Sequence, residues 1–224
     1  MPASLVWFRR DLRLSDHAAL YHALRGGGPV WCVFVFDRDI LDHLPSPQDR
    51  RVAFIHAALL ELAGALQAQG GGLMVRHGSA RSIIPQLAAE LNAESIFINH
   101  DYEPVALERD TAVERSLQQQ GRRLVSFKDQ VIFEKSEVTK DDGLPYTVFT
   151  PYMKKWKLRY IENPLVQYPS EIHLENLANF KFGEMPSLSD MGFEKSGLEI
   201  PSMQVEQGRI KNYEQTRDIP SVLG

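Results

Sequence analysis

The sequence predicts an α/β fold built on a five-stranded, parallel, doubly wound sheet, followed by an extended linker. Three observations predict it. Over the first ~127 residues, short runs of β-forming residues alternate with stretches in which apolar residues recur at helical spacing. The run at 30–36 is almost continuously apolar, as a strand covered on both faces must be. Two of the helical stretches stop at glycine triplets, Gly26-Gly27-Gly28 and Gly70-Gly71-Gly72.

Each element follows in order. Residues 4–8 form a first strand, and Asp16 is placed to cap a helix through Ala18, Ala19, Leu20 and Leu24. The second strand is 30–36. Asp49 or Gln48 opens a long helix in which Val52, Ile55, Leu59, Leu62, Ala63 and Leu66 share one face. Residues 73–75 make the third strand, 83–91 the next helix, 96–98 the fourth strand, 106–117 a fourth helix and 124–127 the fifth strand. Strands that alternate with helices in this way give the flavodoxin or Rossmann arrangement, with the helices on both faces of the sheet.

After Val131 the texture changes. Asp142-Gly143 and Pro145 mark a turn, 151–159 reads as one short helix, and Pro164, Pro169, Pro186 and Pro201 punctuate a stretch without sustained period. We divide the chain into an α/β domain at 1–130, an interdomain linker at 131–202 and the start of a further, helical part at 203–224. Residues 1–127 are expected to fold on their own, and 163–224, lacking a core of their own, to be more mobile.

Composition narrows the function classes. With 43% hydrophobic and 24% charged residues, the chain can bury a substantial core. No apolar run approaches the ~18–20 residues of a membrane-spanning helix, so no membrane partner is expected. The single cysteine, Cys32, excludes an internal disulfide and a cysteine-based zinc cage, and suits a cytoplasmic setting. A net charge of −4 excludes a bulk electrostatic grip on nucleic acid, though not a local basic groove. The seven histidines are scattered, with no pair at ligand spacing, so no metal is expected.

In a parallel sheet of this kind, ligands bind beyond the carboxyl ends of the strands. Arg9-Arg10, Asp37 and Asn99-His100-Asp101 stand at those ends. No glycine-rich phosphate loop follows the first strand, which leaves an arginine-lined pocket for a planar ligand with an acidic group. Arg10, Asp37, Arg51, Asp101 and Glu103 are the candidate lining. Each has a plain structural alternative: Arg10 and Arg13 pairing with Asp11 and Asp16, or Asp101 and Glu103 capping the next helix. Arg51 stands at a helix start, where a cation is unfavourable unless an anion lies nearby, which points to a ligand. Tyr152, Trp156 and Tyr160, interleaved with Lys154, Lys155, Lys157 and Arg159, read as a linker helix or a nucleic-acid surface.

Three stretches carry a resemblance. Leu5-Val6-Trp7-Phe8-Arg9-Arg10-Asp11-Leu12-Arg13-Leu14-Ser15-Asp16 is very similar to the amino-terminal motif of DNA photolyases and cryptochromes. Pro145-Tyr146-Thr147-Val148-Phe149-Thr150-Pro151-Tyr152 resembles that family's linker, and Tyr213-Glu214-Gln215-Thr216-Arg217-Asp218-Ile219-Pro220 resembles the segment before its flavin-binding loop. Across the whole chain the likeness is closest to bacterial class I cyclobutane pyrimidine dimer photolyases. It implies light-driven repair of pyrimidine dimers in DNA by electron transfer from reduced FAD, with this part binding a light-harvesting antenna. By resemblance, Tyr213 would touch FAD and Arg217 DNA, and no residue here would be catalytic.

The resemblance also implies that the helical FAD domain is absent, so that the chain alone is expected to be inactive, free of FAD and monomeric. Folate-using relatives carry an Asn-Glu pair shortly after the Tyr-Glu that here is Tyr102-Glu103. Val105-Ala106 stands in its place, which favours a deazaflavin or flavin antenna over a folate. A cryptochrome light sensor and a stand-alone nucleotide-binding α/β module are the alternatives.

Overall fold

The computed structural model describes residues 1–179, 183–195, 197 and 211–218. In chain order the elements are β1 (Ala3–Phe8), α1 (Ala18–Leu24), β2 (Val30–Asp37), α2 (Arg38–Leu41), α3 (Arg50–Ala68), β3 (Leu73–Gly78), α4 (Ala80–Glu90), β4 (Ala93–Asn99), α5 (Pro104–Gln119), β5 (Arg123–Phe127) and α6 (Phe149–Glu162). The five strands are parallel, in the order β3-β2-β1-β4-β5. The strand order reverses between β1 and β4, and the crevice at that switch point is where such sheets hold ligands.

Several local expectations are corrected. Asp16 does not cap α1. It adopts a left-handed backbone (φ +49°), and His17 caps instead, its side chain accepting the Leu20 N–H. The short helix α2 was not foreseen. There Asp37 ends β2 and caps α2 within one residue, so the turn carries no loop composition. Strand β4 begins earlier than expected, because Asn92 (φ +48°) already turns the chain after α4. The helix expected over 203–217 lies mostly outside the described residues, apart from the turn Tyr213–Thr216.

Alternation along each buried strand sends side chains to opposite faces. Val6, Phe8, Cys32, Phe34 and Phe36 meet α1 and α3 on one face, while Leu5, Trp7, Val33 and Val35 meet α4 and α5 on the other. Cys32 is an inert member of the first cluster, its thiol pushed up to about 12 by burial. Helix α3 is long and apolar enough, by length and composition, to cross a membrane, at 19 residues and mean hydropathy 1.2. Here Val52, Leu59, Leu62 and Leu66 bury against the first face, so the helix serves the core.

That face is not completed by residues 1–127, contrary to the expectation of a self-sufficient unit followed by a more mobile segment. Leu174, Leu177, Met191 and Phe193 are buried in the same cluster. The segment docks at the amino end of β2, before β3 begins to pair: Val30 and Leu177 form a parallel bridge, and the Ala178 N–H donates to the Val30 carbonyl at 2.8 Å. The approach is so close that a Cβ on Gly71 would lie 2.7 Å from the Leu177 Cβ. Helix α6, by contrast, buries none of its residues fully.

Candidate functional site

The segment after β1 is held from three sides. Asp11 accepts from the Arg9 N–H (3.2 Å), from His17 Nε2 (3.0 Å) and from the Asn99 side-chain amide. Because His17 Nδ1 accepts from Leu20, the ring proton sits on Nε2 and points at Asp11. Burial alone would raise the Asp11 carboxyl, but the His17, Arg9 and Asn99 hydrogen bonds outweigh it and hold the group well below the usual carboxylate range. The linker closes the third side. The Ser170 hydroxyl donates to the Leu14 carbonyl (2.5 Å) and accepts the His17 N–H (3.2 Å).

Adjacent arginines then take opposite roles. Arg9 turns inward, pairs with Asp110 at 2.6 Å and donates to the Asn99 carbonyl. With Arg109 it lies against the ring of Trp7, the two guanidinium carbons 5.3 and 4.9 Å from the ring centre. Arg10 points outward, half-exposed, and reaches Glu103 at 2.9 Å and Asp101 at 3.5 Å. Three of the five candidate pocket residues therefore converge: Arg10, Asp101 and Glu103. The pairing with Asp11 considered above does not form, and Arg13 instead bonds Asp129 (2.8 Å) and the Asp16 carbonyl. Neither Asp101 nor Glu103 caps α5 through its side chain. Asp101 instead accepts from the N–H groups of Tyr102 and Glu103.

The other two candidates stand apart. Asp37 is buried at the end of β2, where its Oδ1 accepts from Asp39 and Ala80, each at 3.2 Å. Its Oδ2 has no hydrogen-bond partner, and burial raises the carboxyl above its ordinary range. Arg51 does not join the Arg10 cluster. Its guanidinium is exposed and chelated by Asp49, at 3.0 and 2.6 Å, and Asp49 also caps α3. That local carboxylate is the anion that tolerates a cation at the helix start. Tyr213 is exposed, and Arg217 contacts Asp218 at 3.5 Å.

A groove of about 1180 Å³ opens between the β1–α1 loop and α3. Its walls are mostly apolar, with Phe54, Ala58 and Ala65 from α3 and Leu12 and Leu14 from the loop, while Arg10 and Arg13 supply cations. Glu171 and Leu174 of the linker also line it. The α3 wall was missed in the sequence, although its signal is present: α3 has more apolar residues than one buried stripe needs, and Phe54 and Leu60 are half-exposed. Among the described residues no cluster suited to a metal ion occurs.

A doubly wound parallel sheet with a groove at the carboxyl edge of β1 defines an α/β domain of the class that holds ligands at that edge. Residues 4–170 match the DNA photolyase family, and the chain belongs to it. It is 33% identical over 237 residues to the deoxyribodipyrimidine photo-lyase of Halobacterium salinarum, covering 96% of this chain and 48% of that protein. The crystal structure of a class III photolyase from Agrobacterium tumefaciens superposes with TM-score 0.71 at 26% identity, over 96% of this chain and 41% of that one. A Synechocystis cryptochrome shares the fold at TM-score 0.73 and 24% identity, over 97% and 49%. The chain thus spans about half the length of the curated photolyases it matches.

Proposed function

We propose that this chain is the antenna-binding amino-terminal part of a deoxyribodipyrimidine photo-lyase that repairs cyclobutane pyrimidine dimers in DNA. The observation that carries the reading is the groove between the β1–α1 loop and α3, which lies at the sheet edge expected to hold a ligand. Its alanines at 57, 58 and 65 leave room beside Phe54 for a flat ring, and its volume suits a tricyclic chromophore. Arg10, clamped by Asp101 and Glu103, is the polar contact at the mouth. Asp37, buried and outside the groove, is not carried forward as a contact. Arg51 is not carried forward.

The residues fit a deazaflavin or flavin ring better than a folate, since Val105 and Ala106 offer no polar side chains to a pterin. When bound, the antenna would absorb near-ultraviolet or blue light and pass the excitation to reduced FAD, the electron donor to the dimer. The chain's own contribution is to hold and orient. Tyr213 is assigned to FAD contact and Arg217 to DNA contact. By this reading the chain alone carries no FAD and is inactive, and the protein is a cytoplasmic monomer without a membrane partner. Titrating the chain with 8-hydroxy-5-deazaflavin, FMN and methenyltetrahydrofolate, read by fluorescence, tests the reading. Saturable deazaflavin or FMN binding, weakened roughly tenfold by Arg10→Ala and blocked by Ala58→Trp, is expected. Binding indifferent to Ala58→Trp would remove the groove from the proposal.

A further inference from the structure

A second cavity, of about 610 Å³, lies on the other side of the β1–α1 loop, between the segment leaving β5 and the segment leaving α6. Apart from Arg13 it shares no lining residue with the α3 groove. Its size is in the range of small-molecule sites, and nothing in the reading above uses it.

Two of its three cations are ion-paired, and the lining also holds one carboxylate, Asp16, that faces no cation among the described residues. Arg13 is matched by Asp129 at 2.8 Å, and Lys128 by Glu137 at 2.8 Å. The Asp16 carboxylate accepts the Tyr168 N–H at 3.1 Å. Arg159, on the last turn of α6, also lines the cavity, and among the described residues its exposed guanidinium has no partner. One uncompensated, fork-shaped donor set remains, which suits one phosphate.

Two side-chain amides in the lining are anchored by one N–H each. Gln130 donates to the His100 carbonyl and Asn163 to the Arg159 carbonyl, each at 3.0 Å. Each keeps a second N–H and its carbonyl oxygen, so the pair can both donate to and accept from a ring edge. Phe133 adds an aromatic wall, braced edge-on by Trp156 at 5.6 Å between ring centres.

We propose that this cavity binds a nucleoside monophosphate, with the base against Phe133, its hydrogen-bonding edge toward Gln130 and Asn163, and the phosphate on Arg159. The probe is 2-aminopurine riboside 5′-monophosphate, read by its fluorescence on titration into the chain. Saturable binding is expected below about millimolar. Arg159→Ala should weaken it by at least about tenfold, the size of one lost charge-assisted hydrogen bond, with an unchanged melting temperature. Ala58→Trp, in the α3 groove, should leave it unaltered.

The riboside without phosphate should bind at least about tenfold more weakly than the monophosphate. No saturation by millimolar, equal affinity of the riboside, or loss of binding in Ala58→Trp would each overturn the proposal. So would an Arg159→Ala variant that melts earlier yet binds the probe normally, since Arg159 would then serve only the carboxyl end of its helix. Because Ala58→Trp acts on the other cavity alone, failure here leaves the antenna reading standing, and the reverse holds.

Discussion

Residues 149–166 and 170–193 belong to one connecting segment, yet they treat the α/β domain oppositely. The first part is a regular helix with a strong aromatic stripe that leaves Leu158, Ile161, Leu165 and Val166 facing outward. Among its described residues the second shows only three-residue helical turns, and yet inserts Leu174, Leu177, Met191 and Phe193 into the core. The difference teaches that regularity and attachment are separate properties. Attachment follows from apolar area removed from water and from satisfied backbone groups, whether or not the chain is helical.

The largest expected effect lies where the second part is gripped. Asp11→Ala strips an acceptor from Arg9, His17 and Asn99 in a buried site, and should cost about 3–5 kcal/mol in a urea melt. Asp11→Asn sharpens the point through pH. The Asp11 carboxyl titrates lower in the folded chain than its unfolded value near ~3.9, so it stabilises above that pH. This contribution is lost as pH falls through the folded value. The acid limb of stability against pH should therefore be shallower in Asp11→Asn, and parallel limbs would show that the network is not coupled to folding.

Next comes Leu177→Ala, which opens a cavity under the Val30 bridge and should cost about 2–4 kcal/mol. A value near zero would mean that the segment is merely laid on the sheet, and would erase the contrast. Ser170→Ala, which leaves the Leu14 carbonyl and the His17 N–H without their partner, should cost about 1–2 kcal/mol. The smallest change belongs to the other half: Leu158→Ser and Ile161→Ser should shift stability by less than about 0.5 kcal/mol. A loss above about 1 kcal/mol for either would show that α6 is covered after all.

How much could be read in advance differs along the same lines. The strands and their helices were legible because burial on both faces forces continuous apolar runs such as 30–36, and because Asp49 and the glycine triplets punctuate them. Leu174 and Phe193 were not, since a residue that docks singly between prolines leaves no period to detect. At the rim, the meeting of Arg10 with Asp101 and Glu103 follows from strand ends placed side by side. The Asp49 chelation of Arg51 was not legible, because the partner sits two residues away and helical dipole reasoning alone does not see a chelating cap. Arg109 against Trp7 required knowing which way a helix turns its one buried cation.

The docking of Leu177 beside Val30 sets a schedule for the ribosome. All five strands are complete at Phe127, but the face that Met191 and Phe193 close stays open until the chain has grown that far. At elongation rates of ~5–20 residues per second, the gap is roughly 3–13 s. During that interval the emerging polypeptide presents Phe34, Phe36 and Leu66 without their final cover, and a holding chaperone has its natural window there.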